Sequence, residues 1–159
     1  MVLLVAAPAH AERQYSLFGL GGSAGIDGVP GLVLHSEAYG QDTEGSDDGM
    51  VIAMHAGTRY WRTGGAHWGL DVPIGMSFGA RASGVSATLG AGSGIAALEL
   101  RGRDVGFGVT PYANARLGFE LGREWLTSVD LRATRAVLIG VPDRTEFDIV
   151  VLVGKHSHY

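Results

Sequence analysis

Three stretches of this 159-residue chain carry side chains able to do chemistry. His35-Ser36-Glu37 sets a base, a hydroxyl and a carboxylate in a row. A hydrolytic triad needs its groups to converge in space. On a strand, neighbours point to opposite faces, so Ser36 cannot share a face with His35 and Glu37. Lys155-His156-Ser157-His158 has the same defect, and the His156/His158 pair is too small a set for a dedicated metal site. Gly90-Ala91-Gly92-Ser93-Gly94 is glycine-rich like a phosphate loop, but the helix and the Lys-Ser/Thr pair that complete such a loop are missing. The expectation is therefore no catalytic residue, no metal and no cofactor.

Composition narrows the classes. Cysteine is absent, which removes disulfides, thiolate metal sites and a Cys nucleophile. The net charge of −4 comes with no basic stripe, so no nucleic-acid partner is expected. Glycine reaches 26 residues while charged residues are only 18%, against about 25% in soluble domains. Hydrophobic residues make up 46%.

The elements that must position any site follow period two. From Trp68 to Gly79, even positions read Trp, Leu, Val, Ile, Met, Phe, and odd positions read Gly, Asp, Pro, Gly, Ser, Gly. A strand puts all six large residues on one face; a helix would scatter them. Pro73 removes one ladder donor, which implies a bulge or a local break in pairing. Val105 to Leu121 alternates in the same way, as does Trp125 to Thr134. Gln14–Ala24, Pro30–Tyr39, Met50–Arg62, Val85–Leu98 and Thr145–Gly154 complete eight segments, with 40–49 as a polar loop. Long strands joined by short turns imply an antiparallel meander. A sheet of eight such strands escapes its edge problem by closing. The fold expected is all-β: an antiparallel up-and-down barrel of about eight strands.

Met1 to Ala11, MVLLVAAPAHA, is a short apolar run ending in a small-x-small pattern. It reads as a signal peptide, partial because the basic n-region is missing. Residues 1–11 are thus expected to be a leader and 12–159 the barrel. The face assignment follows from glycine. A solvated exterior of Gly, Ser and Thr would carry a high entropic cost and little charge. With the large apolar set facing lipid, glycines and a few charges fill the interior. That interior collects His35, Glu37, His55, Arg59, Asp71, Arg116, Glu120, Asp130, Arg132 and Asp148, with both signs present. Buried charges must be paired, so these are expected to form a structural ion network. Trp61, Trp68, Trp125, Tyr15, Tyr39, Tyr60 and Tyr112 fall near strand ends, as an interfacial aromatic girdle would.

From Gln14 to Tyr159 this pattern resembles the small eight-stranded outer-membrane proteins of the outer membrane protein A and X type. The resemblance implies outer-membrane lipid as surroundings and the barrel-assembly machinery as partner, which reads an aromatic last residue such as Tyr159. Ser157 and Lys155 are polar where that family prefers apolar residues. A structural or surface-exposed, non-enzymatic role in the cell envelope is the implied function. Two alternatives stand beside it: a soluble periplasmic or secreted lipocalin-like barrel that holds lipid inside, and a barrel-embedded lipid-modifying hydrolase or acyltransferase, as some barrels of this size are.

Overall fold

The structure is a computed structural model that describes residues 13–25, 29–43, 48–63, 67–99, 105–122 and 124–156. The leader expected at 1–11 and the terminal Tyr159 lie outside the described residues. Nine antiparallel strands form one sheet: β1 (Arg13–Gly25), β2 (Pro30–Thr43), β3 (Gly49–Thr63), β4 (His67–Ala82), β5 (Val85–Glu99), β6 (Val105–Val109), β7 (Tyr112–Leu121), β8 (Trp125–Ile139) and β9 (Arg144–His156). Sequence neighbours pair throughout except β6 with β7, and β1 pairs with β9, so the sheet closes into a ring.

Nine segments occupy eight positions in that ring. β6 and β7 both lie between β5 and β8, and their register runs on unbroken: Ile95↔Val109 and Gly92↔Tyr112 belong to one ladder. Gly94 and Thr110 exchange both backbone hydrogen bonds, at 3.3 and 3.0 Å. On the β8 side Arg135 N–H donates to Pro111 O at 2.9 Å, but Pro111 has no N–H to return. One missing donor thus divides the strand read from the sequence as Val105–Leu121. Pro73 acts alike. The β3–β4 ladder skips Gly57 and Thr58 and resumes at Arg59↔Asp71 in unchanged register. Pro73 therefore breaks pairing locally and makes no bulge.

The register fixes the barrel's shape. Tyr15 pairs with Tyr39, Tyr39 with His55, His55 with Gly75, Gly75 with Gly92 and Gly92 with Tyr112. Tyr112 then pairs with Thr134, Thr134 with Glu146, and Glu146 with Gly25. The circuit returns to β1 ten residues beyond its start, a shear of ten. Eight strands with that shear tilt by about 41° and enclose a cylinder of about 8 Å backbone radius.

Several strands outrun their sequence-read ends. β2 continues through Thr43, into the stretch taken as the 40–49 loop; β4 reaches Ala82 and β8 reaches Ile139. Closure explains this, because a tilted strand must keep pairing until both neighbours end. The β4–β5 connection is only Ser83-Gly84, with φ of 51° and 79°. Two positive-φ residues match the twist of a hairpin, and Asp48 Oδ1 accepts the Ser83 N–H at 2.7 Å. No connection exceeds five residues.

The faces divide cleanly. Phe18, Leu20, Leu32, Leu34, Ile52, Leu70, Ile74, Phe78, Leu89, Leu131, Ile149 and Val151 all point outward and are exposed. Charged outward residues stand only near strand ends, such as Arg62, Arg135, Asp42 and Lys155. On β8, ten residues separate outward Trp125 from outward Arg135. That is about 33 Å along the strand and, at this tilt, about 25 Å along the barrel axis, the height of an outer-membrane apolar band. The lipocalin-like alternative fails on this point, since it needs the large apolar set inside. The aromatic girdle is corrected in part: Trp68, Trp125 and Tyr60 face outward, but Tyr15, Tyr39, Tyr112 and Trp61 are buried in the lumen.

Candidate functional site: an ion-paired barrel interior

Strand alternation aims one residue in two at the lumen. All ten interior candidates, His35, Glu37, His55, Arg59, Asp71, Arg116, Glu120, Asp130, Arg132 and Asp148, point there, and the structure sorts them into three tiers. The end that holds Arg13 and His156 is called the terminal end below, and the other the far end.

The tier toward the far end centres on Arg59. Its Nε donates to Asp148 Oδ2 at 2.7 Å, its Nη1 to Asp71 Oδ2 at 3.2 Å and its Nη2 to Glu146 Oε2 at 3.1 Å. Arg144 Nε lies 3.5 Å from Glu146 Oε1. The guanidinium also stacks over Trp61, 4.2 Å from its ring centre, and a Cβ at facing Gly69 would meet that indole at 2.1 Å.

The middle tier centres on Arg116. It donates through Nη1 to Glu37 Oε1, and its Nε lies 3.5 Å from Asp130 Oδ1. Glu37 Oε2 is 3.2 Å from His35 Nε2. Asp130 also accepts from Asn114 Nδ2 at 2.7 Å and from Arg132 Nη2 at 3.4 Å. Arg116 stacks over Tyr39 at 4.8 Å and Arg132 over Tyr112 at 4.3 Å. Tyr112 reaches across the lumen to share a 2.6 Å hydrogen bond with His55 Nε2. It can do so because a Cβ at Gly75 or Gly92 would lie 2.2 or 2.4 Å from its hydroxyl.

In the tier at the terminal end, Glu120 Oε2 accepts from Arg13 at 2.7 Å and from Arg81 at 2.6 Å, while Tyr15 donates to Oε1 at 3.3 Å. Counting all tiers, six arginines face six carboxylates among the described residues: Arg13, Arg59, Arg81, Arg116, Arg132 and Arg144 against Glu37, Asp71, Glu120, Asp130, Glu146 and Asp148. Reading by sequence missed Arg13, Arg81, Arg144 and Glu146, along with Asn114 as a network member. Arg81 continues the odd-numbered face of β4 and Arg13 that of β1, so extending the alternation two residues past the assumed ends would have found both.

Apolar side chains fill the lumen toward the far end: Val33, Trp61, Leu98, Ala136, Leu138 and Val141 are buried there. Among the described residues no group of three or more His, Asp and Glu is arranged to hold a metal. His35, His55 and His156 all face the lumen, and outward Ser36 pairs instead with Thr58, Oγ to Oγ1, at 2.8 Å.

A closed antiparallel ring of eight positions, with an ionic interior and an apolar exterior, defines a small outer-membrane β-barrel. Its outer face places it in the outer membrane. Solved structures of that class share the fold. Neisserial surface protein A matches at 10% identity over 90% of this chain and 96% of that one, with a TM-score of 0.62. The N-terminal β-barrel domain of Pseudomonas aeruginosa OprF matches at 10% identity over 93% and 100%, with a TM-score of 0.58. The outer membrane enzyme PagL matches at 16% identity over 87% and 97%, with a TM-score of 0.56. No protein-family model matches the sequence, and no curated protein does.

Proposed function

We propose that this chain is a non-enzymatic, structural barrel of the outer membrane, made after removal of a leader at residues 1–11 and folded by the barrel-assembly machinery. The observation that carries the reading is the interior. Among the described residues its six arginines face six carboxylates, and buried apolar side chains fill the lumen toward the far end. Such a network is high in cost if left incomplete and rigid once complete, which suits a staple better than a pore. Connections of five residues or fewer leave little to present at either surface.

The experiment has two arms. In planar bilayers the purified protein is expected to give no stepwise conductance. In a strain lacking the gene, lipid A acylation is expected to be unchanged. A defined single-channel conductance overturns the closed barrel. An altered acyl pattern overturns the non-enzymatic reading.

A further inference from the structure

The outer wall is not smooth. Where β5, β7, β8 and β9 run side by side, the outward face carries a hollow of about 420 Å³. Ala113, Ala115 and Ala133 floor it, and Leu89, Leu131 and Phe147 stand around it. Side-chain size makes its depth. Ala115 lies in register between Leu89 and Leu131, and Ala133 between Ala113 and Phe147. Leu89 is 71% exposed and Phe147 51%, while Ala115 and Ala133 are half-buried between them. A second hollow, of about 610 Å³, shares Leu89, Ala115 and Leu131 and continues toward the terminal end past Ala87 and Leu117.

Length and charge name the occupant. With this shear, each ladder row climbs toward the far end on its way from β5 to β9, so Leu89 to Phe147 rises about 14 Å along the barrel axis. Half of an apolar band of about 25 Å is about 12 Å, so the first hollow spans one leaflet. Its upper edge ends under a cation. Arg135 follows Ala133 on the outward face of β8, and its side chain is 55% exposed. Thr145 Oγ1 and Asp143 Oδ2 accept from it at 3.0 and 3.3 Å, which occupies two of the five N–H donors of a guanidinium. A guanidinium fork matches a phosphate. We propose that this wall binds one anionic membrane lipid, its headgroup phosphate on Arg135 and one acyl chain in the hollow between Leu89 and Phe147. Such a site rests on the outward face lying in lipid, and it adds to the structural role a lipid held at one place.

The test uses the full chain in nonionic detergent, titrated with dioleoyl phosphatidylglycerol and, as reference, with dioleoylglycerol, which has the same chains and no phosphate. Bound lipid is counted by native mass spectrometry. One phosphatidylglycerol per chain is expected to be retained saturably, and dioleoylglycerol more weakly. Arg135→Gln is expected to weaken phosphatidylglycerol binding about tenfold, the worth of one charge-assisted hydrogen bond, and to leave dioleoylglycerol unchanged. Asp143→Asn removes the competing carboxylate and is expected to tighten phosphatidylglycerol, a gain that no misfolded variant would give. Ala133→Leu fills the hollow from the lipid side and is expected to weaken both lipids. Arg62→Gln, at the outward far end of β3, is expected to change nothing. Equal retention of the two lipids overturns the proposal. So does phosphatidylglycerol binding that survives Ala133→Leu, that Asp143→Asn leaves unchanged, or that falls equally with Arg62→Gln. A dimer that Ala133→Leu breaks gives the hollow to a second copy and overturns it too. No arm reads conductance or lipid A acylation, so failure here leaves the structural reading standing.

Discussion

Leu131→Arg tests the assignment of faces on which every other conclusion depends. Leu131 points outward from β8 with 49% exposure, flanked in register by Ala115 and Ile149. It lies six residues from Trp125 at one rim and four from Arg135 at the other, close to the middle of the apolar band. A guanidinium at the bilayer midplane of a barrel costs about 2–4 kcal/mol, against about 0–1 near the interface. Leu121→Arg, at the outward terminal end of β7, is the matched control. The two variants should therefore differ by about 2–3 kcal/mol in unfolding free energy. The assay is reversible guanidinium unfolding in phospholipid vesicles, followed by fluorescence of Trp61, Trp68 and Trp125, all retained in both variants. On a water-facing wall, the same Leu131→Arg change would stay within about 0.5 kcal/mol of wild type. Equal unfolding energies for the two variants would refute the lipid-facing assignment.

Arg59→Met leaves Asp71, Glu146 and Asp148 without their shared cation; by the same unfolding assay it should cost about 3–5 kcal/mol, as removal of one partner from a buried ion pair does. Gly75→Ala should cost about 1–3 kcal/mol by overpacking, and part of that cost should vanish in a Tyr112→Ala background, where the hydroxyl 2.2 Å away is gone while Ala91 O and His55 Nε2 remain at 2.8 Å. Pro111→Ala restores an N–H facing the Arg135 carbonyl and should stabilise the barrel by about 0.5–1.5 kcal/mol, with slower hydrogen exchange along β8 as a second readout.

Much of the fold was legible from alternation, because a barrel wall between lipid and lumen writes its two environments onto odd and even positions. The six large residues at even positions from Trp68 to Phe78 could not be read otherwise. Strand ends were less legible. Past Gly79 the pattern weakens to Ala80-Arg81-Ala82, and the inward charge of Arg81 finds its partner only on a strand it does not pair with, Glu120 of β7. The aromatic residues misled for a related reason. Tyr15, Tyr39 and Tyr112 stand near strand ends, as a girdle would, but period two puts them on the Arg116 and Glu120 face. Position along a strand says how deep a residue sits; only parity says on which side of the wall. The pairing of particular charges was not legible, since it depends on a shear of ten that brings Arg59 of β3 against Asp148 of β9.

That shear also explains the glycines. A cylinder of about 8 Å backbone radius cannot hold side chains from every inward position at full size. Among the described residues it holds six arginines, three tyrosines and a tryptophan. Space for each is taken from the facing strands: Gly69 makes room for Trp61, Gly75 and Gly92 for Tyr112, and Gly90 for Asn114. Inward glycine and inward large polar residue are therefore two halves of one packing solution. Neither half can change alone. An enlarged glycine collides with an aromatic that a charged stack holds in place, and a truncated aromatic leaves a polar cavity beside an arginine that has lost its cover. This mutual constraint is why a chain with so few charged residues concentrates twelve of its described ones where solvation is poorest, and why it needs glycine to do so.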